Sequence, residues 1–227
     1  MLDIARPHRL PLIAPSILSA DFARMGEEVR HVVEAGADML HLDVMDGHFA
    51  PNLTMGPDMC RALRRCLPDV YLDAHLMVTE PGRFVDSFAA AGANMFTFHY
   101  EVTEGVGAQR LAEKVRAAGM NVGIAINPLT PAEKLFPYLH LADMILVMSV
   151  TPGFSGQKFM PETLLKTRAI RDKLGPNQRI QMDGGVSLEN AGAVRDAGCD
   201  VMVAATAIFG QPPEKRAGVI AGLRSGG

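Results

Sequence analysis

The chain of 227 residues carries 22 Lys and Arg against 25 Asp and Glu, a formal charge of −3, with 48% apolar and 21% charged residues. That balance is ordinary for a soluble globular protein, and without a long basic run it argues against a nucleic-acid partner. No uninterrupted apolar stretch is long enough to span a bilayer, so no membrane role is expected.

Residues 1–10 have mixed charge and no apolar stretch of the kind a signal peptide needs, and read as a short N-terminal extension. From residue 11 onward, short apolar runs alternate with segments of helical period. The predicted strand–helix pairs are 12–18 with 22–35, 39–44 with 59–66, 70–77 with 81–91, and 94–99 with 108–118. They continue as 121–126 with 131–138, 144–150 with 161–173, 179–183 with 188–197, and 200–204 with 213–223. Eight such units, and the recurrent pattern Ala35-Gly36-Ala37-Asp38, Ala91-Gly92-Ala93-Asn94 and Ala197-Gly198-Cys199-Asp200 at helix ends, predict an α/β fold, a (β/α)8 TIM barrel. Residues 1–227 are expected to form one domain, because barrels of roughly 200–250 residues are common. The alternative, a doubly wound open sheet, lacks support: no G-x-G-x-x-G follows the first strand and no phosphate-binding G-x-x-x-x-G-K-[ST] occurs. Cys60, Cys66 and Cys199 form no C-x-x-C pair and no even set, which fits a reducing, cytoplasmic compartment.

Polar residues interrupt three of the apolar runs near their C-terminal ends: His41 and Asp43, His75, and Asp183. A single histidine in an apolar strand is more often a hydrogen-bonded core residue than a ligand. Four coincident cases point to one site, because buried ionisable groups are costly unless paired or metal-bound. His41 and Asp43 lie two apart and so face one side, and strand ends in a barrel converge on its C-terminal mouth. Two imidazoles with two carboxylates suit Zn, Fe, Mn or Co better than Mg. Asp73, two residues before His75, shares the inward face one layer lower, where it would orient an imidazole.

After the sixth, seventh and eighth predicted strands come Gly153-Phe154-Ser155-Gly156, Gly184-Gly185 and Ala205-Thr206. Adjacent loops at this end of a barrel hold phosphate through backbone N–H groups, although Gly153 and Gly156 could merely turn the chain. Met45, Met77 and Met148 end three runs; each could be core filler, and together they could form an apolar lining that excludes water. No lysine stands at a strand end, which excludes a Schiff-base aldolase. Ser16 has no histidine partner for acyl transfer and reads as a hydrogen-bond donor to substrate. What remains is proton abstraction beside a carbonyl, and two carboxylates on opposite faces of one carbon favour epimerisation.

The segments 14–22, 41–52, His75-Leu76-Met77-Val78, 127–131, 152–159 and Asp183-Gly184-Gly185 together resemble the ribulose-phosphate 3-epimerase family nearly end to end. The resemblance implies interconversion of D-ribulose 5-phosphate and D-xylulose 5-phosphate with one divalent metal on His41, Asp43, His75 and Asp183. It further implies Asp43 as proton acceptor and Asp183 as proton donor in one direction, with Ser16 and His75 against the sugar. Gly153 to Gly156, Gly184, Gly185, Ala205 and Thr206 would surround the phosphate, and the methionines would cap the enediolate. Family precedent allows dimers and hexamers, so a homo-oligomer is expected. Ser155 and Ala205 depart from the glycine and Gly-Ser that the family usually carries, and a Cβ at Ala205 would restrict φ. Met182 is a milder departure, expected to point away from the mouth. The rival within the class is a 3-epimerase of a ketohexose phosphate such as allulose 6-phosphate, whose enzymes tend to carry serine where Gly185 stands. Related lyases and decarboxylases carry an Asp-x-Lys where Asp73-Ala74-His75 stands, and a non-catalytic sugar-phosphate sensor is the remote alternative.

Overall fold

In the computed structural model, which describes residues 2–226, eight parallel strands run in the order β1-β8-β7-β6-β5-β4-β3-β2. They are β1 (Leu12–Pro15), β2 (Met39–Met45), β3 (Tyr71–Met77), β4 (Met95–His99), β5 (Asn121–Ile126), β6 (Met144–Met148), β7 (Arg179–Asp183) and β8 (Val201–Ala204). A parallel bridge from Ser16 to His41 joins β1 to β2 and closes the ring. Helices α1 (Met25–Glu34), α2 (Pro57–Cys66), α3 (Val85–Ala91), α4 (Val106–Ala117), α5 (Thr163–Arg171), α6 (Ala191–Asp196), α7 (Thr206–Phe209) and α8 (Pro213–Ser225) follow the strands or, after β5, are replaced by 3-10 turns.

The alternation of side chains along each strand divides the core in two. Leu40, Leu42, Leu72, Leu76, Phe96, Phe98, Ile124, Ile145 and Ile180 face outward and pack with helix residues such as Val29, Leu63, Phe88, Val115 and Ile220. Met182 lies in this outer layer, as its position in the strand predicts. Leu12, Met39, Tyr71, Met95, Met144 and Val201 face inward and fill the bottom of the barrel together with Ile4. The N-terminal extension therefore has a structural job: Arg179 at the start of β7 donates from Nε to the carbonyl of Ile4 at 2.9 Å and also bonds the carbonyl of Ala5. The apolar bottom leaves the upper layers of the barrel for polar groups.

The Asp or Asn that closes each Ala-Gly repeat, and Asp143 at the same place before β6, lock strand register. Asp38 Oδ2 accepts the N–H of Ile13 at 2.8 Å, Asn94 Oδ1 that of Leu72 at 2.8 Å, Asp143 Oδ2 that of Val122 at 2.8 Å and Asp200 Oδ2 that of Ile180 at 3.0 Å. Arginines on the helical side hold these groups in turn: Arg9 and Arg224 on Asp38, Arg64 on Asn94, Arg116 on Asp143 and Arg171 on Asp200. All lie at the N-terminal ends of strands, the face that serves stability in this architecture.

Two predicted elements differ. The segment 131–138 forms 3-10 turns at Ala132–Lys134 and Phe136–Leu141 and no α-helix, because Pro137 has no N–H to donate and its ring obstructs the preceding turn. The first strand stops at Pro15, and Ser16 caps a 3-10 turn at Ile17–Ser19 by accepting from the N–H of Leu18. Among the described residues no helix is long and apolar enough to cross a membrane.

Candidate active site

Above the apolar bottom, the inward positions of β2, β3, β4 and β7 become polar. His41 and Asp43 come from β2, Asp73 and His75 from β3, Thr97 and His99 from β4, and Gln181 and Asp183 from β7. Parallel register sets His41 beside Asp73 and Asp43 beside His75. His41, Asp43, His75 and Asp183 each offer one donor atom, all within 4.8 Å of one another. His41 Nε2 lies 3.3 Å from both Asp43 Oδ1 and His75 Nδ1 and 3.8 Å from Asp183 Oδ2. His75 Nδ1 lies 3.1 Å from Asp43 Oδ1 and 3.7 Å from Asp183 Oδ2.

These separations test whether the set fits a metal. Four donors at bonds of about 2.0–2.1 Å in a tetrahedron stand roughly 3.4 Å apart, and the observed distances scatter around that value. The donor chemistry, two nitrogens and two carboxylate oxygens, also fits, so the cluster could hold a metal ion. Behind it, His41 Nδ1 meets Asp73 Oδ2 at 2.8 Å, which turns Nε2 toward the cluster. Asp73 is itself held by the hydroxyl of Thr97 at 2.9 Å and the amide of Gln181 at 2.9 Å. Thr97 needs a glycine opposite: a Cβ on Gly123 would lie 2.1 Å from its Oγ1.

Electrostatics split the two carboxylates. Burial works against ionisation of Asp43, yet His41, together with hydrogen bonds from both imidazoles, outweighs it and holds this carboxyl well below the ordinary range. Ser16 adds a hydrogen bond from its hydroxyl to Asp43 Oδ2 at 2.5 Å. Asp183 is pushed up to about 7, by burial and then by the negative charge of Asp43. At neutral pH one carboxyl is an acceptor and the other readily holds a proton, the separation expected of an acid and base pair. Burial also disfavours charge on His41, but Asp43 and Asp73 raise its pKa well above the usual value, whereas burial leads in lowering that of His75.

Asp43 and Asp183 line a cavity whose walls include Leu18, Met148, Val150, the loop 152–157, Gly184, Gly185, Ala205 and Thr206. Every residue of the three predicted phosphate loops thus lines one wall. The β6 loop is fastened by Gln157 Nε2, which donates to the carbonyls of Thr151 and Phe154, and by Asn52 Nδ2, which donates to the carbonyl of Gly153 at 2.9 Å. Ala205 has φ −104°, so its Cβ imposes none of the restriction on φ that the sequence suggests.

Ser16 is 1% exposed and its hydroxyl donates to Asp43, so it supports that carboxylate. Both ring nitrogens of His75 are likewise engaged by protein groups, Nδ1 with Asp43 and Nε2 with His99. The single methionine lining resolves into two groups: Met45 and Met77 pack with Ala50, Leu18 and Phe49, while Met148 packs with Ala125, Leu146 and Val150 and reaches the cavity. Sequence reasoning missed His99 and Glu101. His99 is fully buried, with Nε2 2.9 Å from Nε2 of His75 and Nδ1 3.3 Å from Glu101 Oε2. The available signal was its i, i+2 spacing from Thr97 at the end of an apolar run.

Comparison with known proteins gives one consistent result. Residues 12–209 match the model described as the ribulose-phosphate 3 epimerase family. The chain is 46% identical over 216 residues to the ribulose-phosphate 3-epimerase of Schizosaccharomyces pombe, covering 94% of this chain and 92% of that protein. It is 47% identical over 217 residues to that of Escherichia coli strain K12, covering 94% and 95%. Among solved structures, 3-hexulose-6-phosphate synthase from Salmonella typhimurium superposes with a TM-score of 0.73 at 18% identity, over 95% of this chain and 97% of that one. KGPDC from Streptococcus mutans superposes with a TM-score of 0.70 at 12% identity, over 96% and 97%. At such identities the likeness is one of fold alone.

Proposed function

The chain belongs to the ribulose-phosphate 3-epimerase family, and from that premise we infer that it interconverts D-ribulose 5-phosphate and D-xylulose 5-phosphate by exchanging the proton on C3. The observation that carries the mechanism is a cavity lined by two carboxylates whose surroundings drive their ionisation apart. Asp43, kept ionised, removes the C3 proton from one face; Asp183, able to hold a proton near neutral pH, delivers one to the other face. In the reverse direction the roles exchange. His41, Asp43, His75 and Asp183 would hold one divalent ion, Zn, Fe, Mn or Co by the donor set. Such an ion supplies a Lewis acid that makes the C3 proton more acidic.

The walls at Gly153 to Gly156, Gly184 with Gly185, and Ala205 with Thr206 would receive the phosphate through backbone N–H groups, with no side-chain cation in the cavity lining. A lyase of the same fold would want a lysine where His75 stands, and no lysine lines this cavity either. Three free cysteines support a reducing cytoplasm.

Proton NMR of D-ribulose 5-phosphate in D2O tests the reading. The expected result is loss of the C3 proton signal with appearance of D-xylulose 5-phosphate, abolished by a chelator and restored by metal. Exchange confined to allulose 6-phosphate would replace the pentose reading with the ketohexose one, and no exchange in metal-loaded protein would overturn both.

Metal affinity should also depend on pH. The proton that Asp183 retains up to about pH 7 must leave before its oxygen can bind an ion. Affinity therefore falls by about tenfold or more per pH unit below 7 and keeps rising above it, because His41, whose pKa Asp43 and Asp73 hold well above the usual value, must also give up a proton. Chelator competition between pH 5.5 and 8.5 measures this, and a profile flat down to pH 5.5 would contradict the assignment of Asp183 as a ligand.

A further inference from the structure

His41 has a carboxylate directly behind its ring, whereas His75 has another histidine, and the difference raises the question of what fixes the tautomer of His75. Its Nδ1 faces Asp43 and Asp183, so to bind an ion that nitrogen must present a lone pair and the ring proton must sit on Nε2. Nε2 is 2.9 Å from Nε2 of His99, where one nitrogen donates and the other accepts. The choice is made one step further out. Glu101 Oε2, which can only accept when ionised, lies 3.3 Å from Nδ1 of His99. Glu101 is fixed in place on its other oxygen by the N–H of Asn127 at 2.8 Å and the hydroxyl of Thr130 at 2.6 Å. Lys166 in turn ties the carbonyls of Asn127 and Pro128, each at 2.7 Å.

We propose that Glu101 and His99 form a positioning relay that puts the proton of His99 on Nδ1, leaves its Nε2 as an acceptor, and so selects the Nε2–H tautomer of His75 with its Nδ1 lone pair aimed into the four-residue cluster. The order of protons along the line is then Glu101 accepting from His99 Nδ1–H, and His99 Nε2 accepting from His75 Nε2–H. The rings of His99 and His75 have centroids 5.0 Å apart and an interplanar angle of 24°, and the ring centroid of Phe49 lies 4.6 Å from that of His99. Neither residue touches the cavity, so both act through His75 and are not catalytic residues.

The proposal rests on the reading of the cluster as a metal centre, and two measurements separate the two. In metal-free, 15N-histidine-labelled protein, the nitrogen shifts of His99 should report Nδ1 protonated and Nε2 bare. A His99 protonated on Nε2 overturns the relay whether or not the protein binds metal. Zn2+ affinity by chelator competition is the second readout. His99→Leu should weaken binding roughly 10–100-fold, the range of losses seen when groups behind a metal ligand are removed. His99→Gln, whose carbonyl oxygen can accept from Nε2–H, should recover most of it. Glu101→Gln preserves shape but can donate to His99 Nδ1, freeing both tautomers; about tenfold weaker binding is expected, and this variant decides the matter if His99→Leu fails to fold. Wild-type affinity in His99→Leu or in Glu101→Gln would overturn the relay. Wild-type protein that takes up no Zn2+ would instead defeat the metal-centre reading, with the 15N shifts still judging the tautomer.

Discussion

Asp183→Asn is expected to remove epimerase activity by at least about 10³-fold and, at the same time, to raise the thermal midpoint of the metal-free protein at pH 8. The rate loss follows from deleting one of two proton carriers, each of which contributes on the order of 10²–10⁴ in such reactions, and from weakening the metal cluster. The stability gain follows from the sign of its pKa. The folded-state value of about 7 lies above the ordinary carboxylate value of 3.8, so below pH 4 this group contributes nothing. Between 4 and 7 the unfolded chain releases the proton first and stability falls; above 7 the cost is constant. A displacement of that size corresponds to roughly 4 kcal/mol, and a gain of about 1–3 kcal/mol is expected once the amide must itself be accommodated. Asp43→Asn should lose activity comparably but destabilise the metal-free protein, by about 2 kcal/mol or more. Its carboxylate is the partner of His41, His75 and Ser16, and removing one member of a buried ionic cluster leaves the others uncompensated. Thermal unfolding beside solvent deuterium exchange reads both effects. If Asp183→Asn unfolds at a lower temperature than wild type, the electrostatic account of this site is wrong.

That opposition between function and stability also explains why the site was legible. Parallel strands buried on both faces read as nearly continuous apolar runs, so each polar residue placed within one stands out, and His41, Asp43, His75 and Asp183 could be found from that interruption. Asp73 could be placed behind an imidazole because strand alternation puts i and i−2 on one face. His99 obeyed the same rule, but as the last residue of its run it looked like the start of a loop, and Glu101 lay wholly outside the periodic segment. The engagement of Ser16 with Asp43 depends on closure between the first and second strands, a contact that no local pattern encodes. The same holds for the N-terminal extension, whose carbonyls meet Arg179 across most of the length of the chain. Local chemistry was legible and ring closure was not.

Gly185→Ala is expected to raise KM for the ketose phosphate at least about tenfold while changing kcat much less. Gly185 has φ +65°, and a Cβ there would lie 2.7 Å from the backbone nitrogen of Phe159 and 2.8 Å from the carbonyl oxygen of Gln157. Those neighbours are main chain of the β6 loop, so the loop that carries Gly153 to Gly156 must move and the phosphate wall opens. Asp183 sits two residues earlier, inside β7, where pairing with Met148 holds it in register. Gly184→Ala should behave differently. Its φ is +123° and its Cβ would approach Val150 Cγ2 to 2.6 Å and Val150 N to 2.8 Å, directly beside the acid. The hydroxyl of Ser149 donates to the carbonyls of both Asp183 and Gly184, so a shift at 184 is transmitted to Asp183. Strain of this kind costs about 1–3 kcal/mol, and here kcat should fall together with affinity. Steady-state kinetics of the two variants, with inorganic phosphate as a competing ligand, separate the phosphate wall from the proton carrier. Wild-type KM in Gly185→Ala would remove this turn from the phosphate site.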